Sequence, residues 1–205
     1  AGSGNTGTIA IDVSIPASSS QLAMIGNAID QYDYAARVNQ TTPGALFGDA
    51  VISGNILGAR VTNIALVGNA ADSFSSISRV VITGNNFKSE LSTTFKGVSM
   101  ANVEQITVTG NGFNGGGGTQ QFLTSSGAQA VNYVGNNHIN VTLGAPYLGT
   151  GYKLVDFNNF LTNAQLLAWD NGSMVMCSDC TVANPCAGGG TGALAKRLAG
   201  AWRCN

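Results

Sequence analysis

Apolar and polar residues alternate in a short segment that precedes each of a series of Gly-Asn pairs. The residues three and five positions before the Asn are apolar in nearly every copy, as Val80 and Ile82 are before Asn85, whereas the residue two before it is mostly polar. An alternation with a period of two is typical of a strand that buries one face. Gly and Asn tolerate the left-handed backbone of a tight corner. The pattern therefore predicts half-buried strands that each end at a Gly-Asn corner.

This motif recurs along most of the chain. It occupies residues 24–27, 52–55, 82–85, 108–111 and 133–136, and a degenerate copy ends at Asn158, so that successive Asn residues lie 22 to 30 positions apart. An off-phase copy at residues 64–69 is interpreted as the second strand of the coil that starts at Asn55. A repeated corner with loops of unequal length is typical of a solenoid, and the period of two excludes a helical one. The sequence thus predicts an all-β fold, a single-stranded parallel β-helix.

Stacking of such coils in register would place equivalent side chains in columns. The first column is a ladder of amides, which stabilises stacked strands; its members are Asn27, Asn55, Asn85, Asn111, Asn136 and Asn158. The second is an internal column of residues two positions after each Asn: Ile29, Leu57, Phe87, Phe113, His138 and Phe160. His138 is the only histidine of the chain. Its place among Phe residues favours a stacking role over a catalytic one.

The C-terminal segment breaks the motif and contains all four cysteines, Cys177, Cys180, Cys186 and Cys204. Disulfides, free thiols and a zinc site are open alternatives, although the spacing lacks the paired C-x2-C arrangement of a zinc ribbon, and no metal or cofactor is expected. A Cys186–Cys204 bond would pin the end of the chain, and residues 193–202 between them form a short helix or, as we favour, a hairpin that turns at Ala199-Gly200. We divide the chain into a leading segment or linker (1–20), the β-helix (21–169) and a cap (170–205) that covers the open end of the stack.

Two groups of residues resemble a known superfamily. The segments Ile82-Thr83-Gly84-Asn85-Asn86-Phe87 and Val108-Thr109-Gly110-Asn111-Gly112-Phe113 resemble coils of the pectate-lyase-like right-handed parallel β-helices, which include bacteriophage tailspikes. The Cys-rich tail is similar to the C-terminal ends of phage-encoded members, and the coil similarity covers about residues 20 to 165. The resemblance implies a right-handed helix, a location on the virion as part of a phage tail, and a parallel homotrimer. Outward apolar residues such as Val51, Val81 and Leu154 would then form the interface, and the cap would serve as a trimerisation knob.

Composition excludes several classes of partner. Charged residues make up 9% of the chain and the net charge is −1, whereas soluble domains usually contain about 25% charged residues. Nucleic acid is not expected as a partner because its phosphates require a basic stripe. Insertion into a membrane is not expected either, because no uninterrupted apolar run reaches the length of about 18 residues that a span needs. The surface is instead built from Asn, Thr, Ser and Gly.

One polar cluster suits carbohydrate. Tyr rings stack on sugar faces, while carboxylates and Arg bind sugar hydroxyls. The residues of this cluster are Asp30, Tyr32, Asp33, Tyr34 and Arg37. We interpret them as candidate glycan contacts, with a solvated loop as the alternative.

Catalysis on glycans requires more than these contacts. Hydrolysis uses two carboxyl groups roughly 5 to 9 Å apart, yet Asp156 is the one acid found at the outward position two before an Asn of the motif. The absence of an acidic pair favours binding over catalysis, and the resemblance then implies an extracellular receptor-binding module of a phage tailspike or tail fibre, whose partner is a polysaccharide on the bacterial host. A glycan hydrolase or lyase, and a purely structural trimerising tip of a longer spike, are the alternatives.

Overall fold

The computed structural model describes residues 7–72, 75–89, 95–114, 121–126, 129–139, 152–166 and 168–205. Its strands in the first half are β1 Ile9–Ile15, β2 Ser19–Ile25, β3 Ala28–Gln40, β4 Phe47–Ser53, β5 Ile56–Val67, β6 Ile77–Thr83, β7 Asn86–Ser89, β8 Lys96–Ala101 and β9 Val103–Thr109. Those in the second half are β10 Gly112–Asn114, β11 Gln121–Ser126, β12 Gln129–Val134, β13 Asn137–Ile139, β14 Tyr152–Leu161, β15 Met174–Cys177, β16 Cys180–Thr181, β17 Ala187–Gly188, β18 Ala193–Leu198 and β19 Ala201–Cys204. One short 3-10 turn, Asn163–Gln165, is the helical element of the described part, and no helix there has the length and apolarity that a membrane span requires.

Two stacked parallel sheets confirm the predicted parallel β-solenoid. Sheet A contains β1, β3 and β5, then β7 and β8, then β10 and β11, and finally β13. Sheet B runs β2, β4, β6, β9, β12, β14 and β15 in parallel order. Each Gly-Asn corner carries the chain from sheet B into sheet A. The off-phase motif at 64–69 includes the second half of β5, in the coil that starts at Asn55.

The solenoid of the described residues begins ahead of residue 21. β1 pairs in parallel with β3, from Ile9 opposite Tyr34 to Ile15 opposite Gln40. These strand residues lie in the segment 1–20, which was predicted to be a leading segment or linker. Their side chains alternate in exposure less regularly than those of later coils, because β1 is an edge strand with a neighbour on one side.

The core consists of inward residues of successive coils, in the positions that the alternation predicted. Ile52, Ile82 and Val108 are register partners in sheet B, and each is 0% exposed. Tyr133 continues this row and is 2% exposed. Full burial of one such aliphatic side chain stabilises the fold by about 1.5–3 kcal/mol.

The degenerate sixth copy departs from the prediction. Tyr133 pairs with Leu154 rather than with Val155, so the register of β14 is offset by one residue from that of the motif, and the side chain of Leu154 lies outside the described residues. β14 then shifts register and stays in sheet B, where Phe160 lies opposite Met176. The placement of Phe160 in the internal column was therefore wrong. The physical reason is Phe157, which stands where the other copies have the Gly that a left-handed corner needs.

The C-terminal strands end sheet B in antiparallel order. β18 pairs with β15, and β19 pairs with β18. The hairpin predicted at Ala199-Gly200 is confirmed, and both residues have the positive φ (51° and 76°) of a type I′ turn. Disulfides join Cys177 to Cys180 and Cys186 to Cys204, so the free-thiol and zinc alternatives do not apply.

Candidate functional site

The Asn ladder predicted from the corners connects five coils. The Asn85 Oδ1 accepts hydrogen bonds from the backbone N–H of Asn55 (3.0 Å) and from its Nδ2 (2.8 Å). The Asn85 Nδ2 donates to Asn111 Oδ1 (2.9 Å) and to the carbonyl oxygen of Ile52 (2.9 Å). The same pattern links Asn27 to Asn55 and Asn111 to Asn136. The side chain of Asn158 lies outside the described residues. The ladder therefore fixes the corners and has a structural role.

The internal column follows the predicted register along sheet A. Ile29, Leu57, Phe87, Phe113 and His138 are successive partners. Leu57 and Phe87 are fully buried, and the Phe113 ring stacks on Phe95 with centroids 5.2 Å apart. The side chain of His138 lies outside the described part, so its stacking role stays a prediction.

A bulge in β3 changes the direction of the glycan-contact candidates. Ile29 pairs with Leu57 and Tyr32 with Ala59, so β3 contains one more residue than β5 between these partners. The extra residue coincides with Gln31, whose φ is 68°. A bulge re-aims the side chains around it. Here Tyr32 is 41% exposed and Asp30 is also exposed.

Asp33 is separated from these exposed residues. It is 5% exposed, and its Oδ2 accepts hydrogen bonds from the backbone N–H groups of Gly7 and Thr8. Burial of a carboxylate is tolerated when backbone N–H groups donate to it and a cation lies nearby. The nearby cation here is Arg60, whose Nη1 lies 4.0 Å from Asp33 Oδ1. Asp33 thus anchors the start of β1 and does not face a ligand, contrary to its selection as a glycan contact.

Arg37 is held by a neighbouring strand. Its Nε and Nη2 donate to the two carboxylate oxygens of Asp12 at 3.0 and 2.6 Å. This hydrogen-bonded pair lowers the pKa of Asp12 and raises the pKa of Arg37. Tyr34 is half-buried, and its electrostatic interaction with Arg37 also raises the pKa of Arg37. Arg37 therefore contributes to the pairing of β1 with β3 more than to an open binding surface.

The next coil places a partly exposed arginine, Arg60, close in register to Tyr32, in addition to its contact with Asp33. Arg60 follows Ala59, the register partner of Tyr32, and its side chain is 32% exposed. We call Asp30, Tyr32 and Arg60 the Tyr32 surface. Arg60 was missed by sequence reasoning, although the spacing of 28 residues between Asn27 and Asn55 would place it opposite Tyr32 in an unshifted register. The bulge moves the pairing of Tyr32 by one residue, to Ala59.

One cluster of the described residues has side chains of the type that bind metals. Cys177, Asp179 and Cys180 bring three ligand-type groups within 4.8 Å of one another. The two sulfur atoms are joined in a disulfide, so neither can bind a metal as a thiolate. Asp179 Oδ1 accepts a hydrogen bond from the backbone N–H of Asn163 (2.6 Å). This cluster therefore closes a loop of the C-terminal segment.

The geometry establishes a parallel β-solenoid, and such a fold supports many unrelated activities. The resemblance to phage-encoded β-helices consequently depends on the coil motifs and the Cys-rich tail. Comparison of the chain with protein-family models, curated proteins and solved structures found no match.

Proposed function

We propose that this protein is the receptor-binding module of a bacteriophage tailspike or tail fibre and that it binds polysaccharide on the bacterial surface. The observation that carries the proposal is the bulge at Gln31, next to which Asp30 and Tyr32 are both exposed, while the partly exposed Arg60 follows the register partner of Tyr32 on the next coil. An exposed aromatic ring, a carboxylate and a guanidinium supply the stacking and hydrogen-bonding groups that sugars need.

The binding mode follows from the chemistry of these side chains. The Tyr32 ring stacks on the apolar face of a sugar, Asp30 accepts hydrogen bonds from hydroxyl groups, and Arg60 donates to ring or hydroxyl oxygens. The hydrogen-bonded corners hold the strands rigidly, so little conformational entropy is lost on binding. Each contact is weak, and repeated engagement of one polysaccharide by several copies raises the avidity.

The acidic groups favour binding over hydrolysis. A glycosidase needs a general acid whose pKa is raised and a second carboxyl group nearby. The described acids with a shifted pKa are Asp12 and Asp49, and an arginine partner lowers both. Asp33 is buried against backbone N–H groups. These carboxyls are therefore poor candidates for a proton donor.

Association into a homotrimer is part of the proposal. Val51 is 39% exposed on the outer face of sheet B, and its register partner Val81 is half-buried. Ile25, 64% exposed, lies on the same sheet. Apolar side chains on an outer face are stabilised when a second surface covers them.

Substitution of Tyr32 tests the proposed site. We expect Tyr32→Ala to weaken binding of the intact chain to immobilised host polysaccharide by about tenfold, because stacking of one ring contributes roughly 1–1.5 kcal/mol. Tyr32→Phe keeps the ring and serves as the matched control, with binding within about twofold of the parent. Biolayer interferometry measures both. Equal binding by Tyr32→Ala would contradict the site, and release of reducing ends or unsaturated sugars would support the enzyme alternative.

A further inference from the structure

Sheet B carries a repeated backbone irregularity along the solenoid axis. One residue in each of five strands has a positive φ: Gln21 (72°), Asp49 (61°), Arg79 (52°), Gln105 (54°) and Ala130 (50°). All five are exposed. A left-handed conformation costs a residue with a Cβ about 1–2 kcal/mol. Backbone strain of this kind concentrates at functional sites. The surface that these five side chains form is therefore a candidate site.

These residues form an axial row. The register pairs on either side of them, Ser20 with Gly48 and Leu22 with Ala50, place Gln21 and Asp49 on adjacent rungs. The same holds for Asp49 and Arg79 in the next pair of strands. Adjacent strands lie about 4.8 Å apart. The row is therefore a regularly spaced stripe whose first four side chains, from Gln21 to Gln105, are polar, and it is suited to an extended ligand.

A groove lies beside this row. Its volume is about 340 Å³, and its lining includes Ser18, Ser19, Ser20, Leu46, Ser78 and Arg79. The Arg79 Nε and Nη2 bind the carboxylate of Asp49 at 2.7 and 3.1 Å. A Cβ at Gly48 would lie 2.6 Å from Arg79 Nη2, so the guanidinium rests against the bare backbone of Gly48. The absence of a side chain at Gly48 therefore makes room for the ion pair at the groove.

The chemistry of the groove points to a neutral sugar. The carboxylate of Asp49 balances the charge of Arg79, so the pair offers acceptor and donor atoms without net charge. Arg79 Nη1 is turned toward Ser78 Oγ, at 3.4 Å, on the groove side. Serine hydroxyls both donate and accept, as sugar hydroxyls do. Leu46, 52% exposed, supplies an apolar contact for the C–H face of a ring.

We infer that this groove is a second carbohydrate subsite, which binds a neutral linear hexose chain lying along the solenoid axis. The inference rests on the proposed glycan-binding function, and it adds a substrate class and a surface distinct from the Tyr32 surface.

Nuclear magnetic resonance of the intact chain tests it. The ¹⁵N-labelled protein is titrated with cellohexaose, maltohexaose and hexagalacturonate. We expect at least one neutral hexasaccharide to shift the amide signals of Ser19, Gly48 and Arg79. Arg79→Ala weakens binding at these signals by about tenfold, the loss expected for one hydrogen bond to a charged group. Gly48→Ala, which displaces the guanidinium, also weakens it.

The controls separate this inference from the proposed function. Arg203→Ala removes an exposed arginine of the C-terminal hairpin and leaves the groove signals unchanged. Shifts near Tyr32 without shifts in the groove overturn the second subsite and leave the proposed function standing. Groove shifts that persist in both Arg79→Ala and Gly48→Ala, or that appear with hexagalacturonate alone, also overturn it. No shift at either surface counts against both.

Discussion

A buried carboxamide satisfies the turning backbone at every Gly-Asn corner. Asn85 is 1% exposed, and its oxygen accepts two hydrogen bonds from Asn55. Its nitrogen donates to the carbonyl of Ile52 and to Oδ1 of Asn111. Unsatisfied buried polar groups each cost about 1–3 kcal/mol. A single residue of the ladder therefore supports two coils.

Removal of the Asn85 side chain should destabilise the fold strongly. We expect Asn85→Ala to lower the free energy of unfolding by about 3 kcal/mol or more, because it leaves the buried backbone N–H of Asn55 without its acceptor and removes the side-chain hydrogen bonds to Asn55, Ile52 and Asn111. The adjacent, exposed Asn86 offers the control: Asn86→Ala should change stability by no more than about 0.5 kcal/mol. Urea denaturation measures both. Similar midpoints for the two variants would contradict a structural role for the ladder.

The Asp12–Arg37 pair predicts a modest dependence of stability on pH. Its hydrogen bond lowers the pKa of Asp12 from 3.8, so the stabilisation is present above that value and is lost as the pH falls through the lower pKa of the folded state. Both side chains are about a third exposed, so we expect the contribution not to exceed about 1 kcal/mol. In urea titrations, Asp12→Asn should be less stable than the parent at pH 6, and the difference should shrink below pH 4. A difference that grows on acidification would contradict this account.

The sequence predicted some parts of the fold and of the candidate site better than others. The Gly-Asn spacing predicts the strands of sheet B and the internal column from Ile29 to His138. Both predictions succeed because the alternation of a strand and the formation of a corner depend on residues that are close together in the sequence. The register of β14 was not predictable from spacing, since Phe157 removes the corner. The candidate site was only partly predicted: Asp30 and Tyr32 are exposed, whereas the burial of Asp33 depends on backbone groups 25 residues away in sequence.

The Cys186–Cys204 disulfide stabilises the terminal hairpin. It links residues 18 positions apart, and closing a loop of about 15 residues stabilises a fold by about 3 kcal/mol. We expect Cys186→Ala/Cys204→Ala to lower the free energy of unfolding by about that amount and to speed amide exchange in β18 and β19. Val182→Ala, at a residue 74% exposed, is the control with little expected change. Unaltered exchange in β18 and β19 would show that their packing alone holds the hairpin.

At the scale of the whole molecule, the outer face of sheet B is exposed in a monomer and would be covered in the proposed trimer. Exposed apolar residues concentrate where β2 and β4 pass the first corners, with Ile25 and Val51 on that sheet and Ile56 just beyond the second corner. Gln21 and Asp49 of the polar stripe lie on these two strands, and Arg79 lies on the next strand of the sheet, β6. An assembly that covers the apolar residues would bring copies of the groove into proximity.

Charge introduced at this face tests the assembly. We expect Val51→Lys to convert a trimer into monomers in native mass spectrometry, because a buried unpaired ammonium destabilises an interface by several kcal/mol. Val61→Lys is a close control, since Val61 lies on sheet A and is exposed to the same fraction, 39%. A parent chain that is monomeric at every concentration tested would contradict the trimer, as would an equal effect of both substitutions.

The hydrogen bonds of the Asn ladder all have the same sense: each carboxamide oxygen serves the preceding coil, and each nitrogen reaches the following carboxamide. Any two corners are consequently interchangeable as splice points. The stretch between two corners, such as residues 86–111, could be removed or duplicated. Each Asn Oδ1 at the new junction would again accept from the backbone N–H and the Nδ2 of the preceding Asn, and the rows of core residues would stay aligned. Whole windings are thus units of insertion and deletion, and molecules of this kind can differ in length by such units without a change of fold.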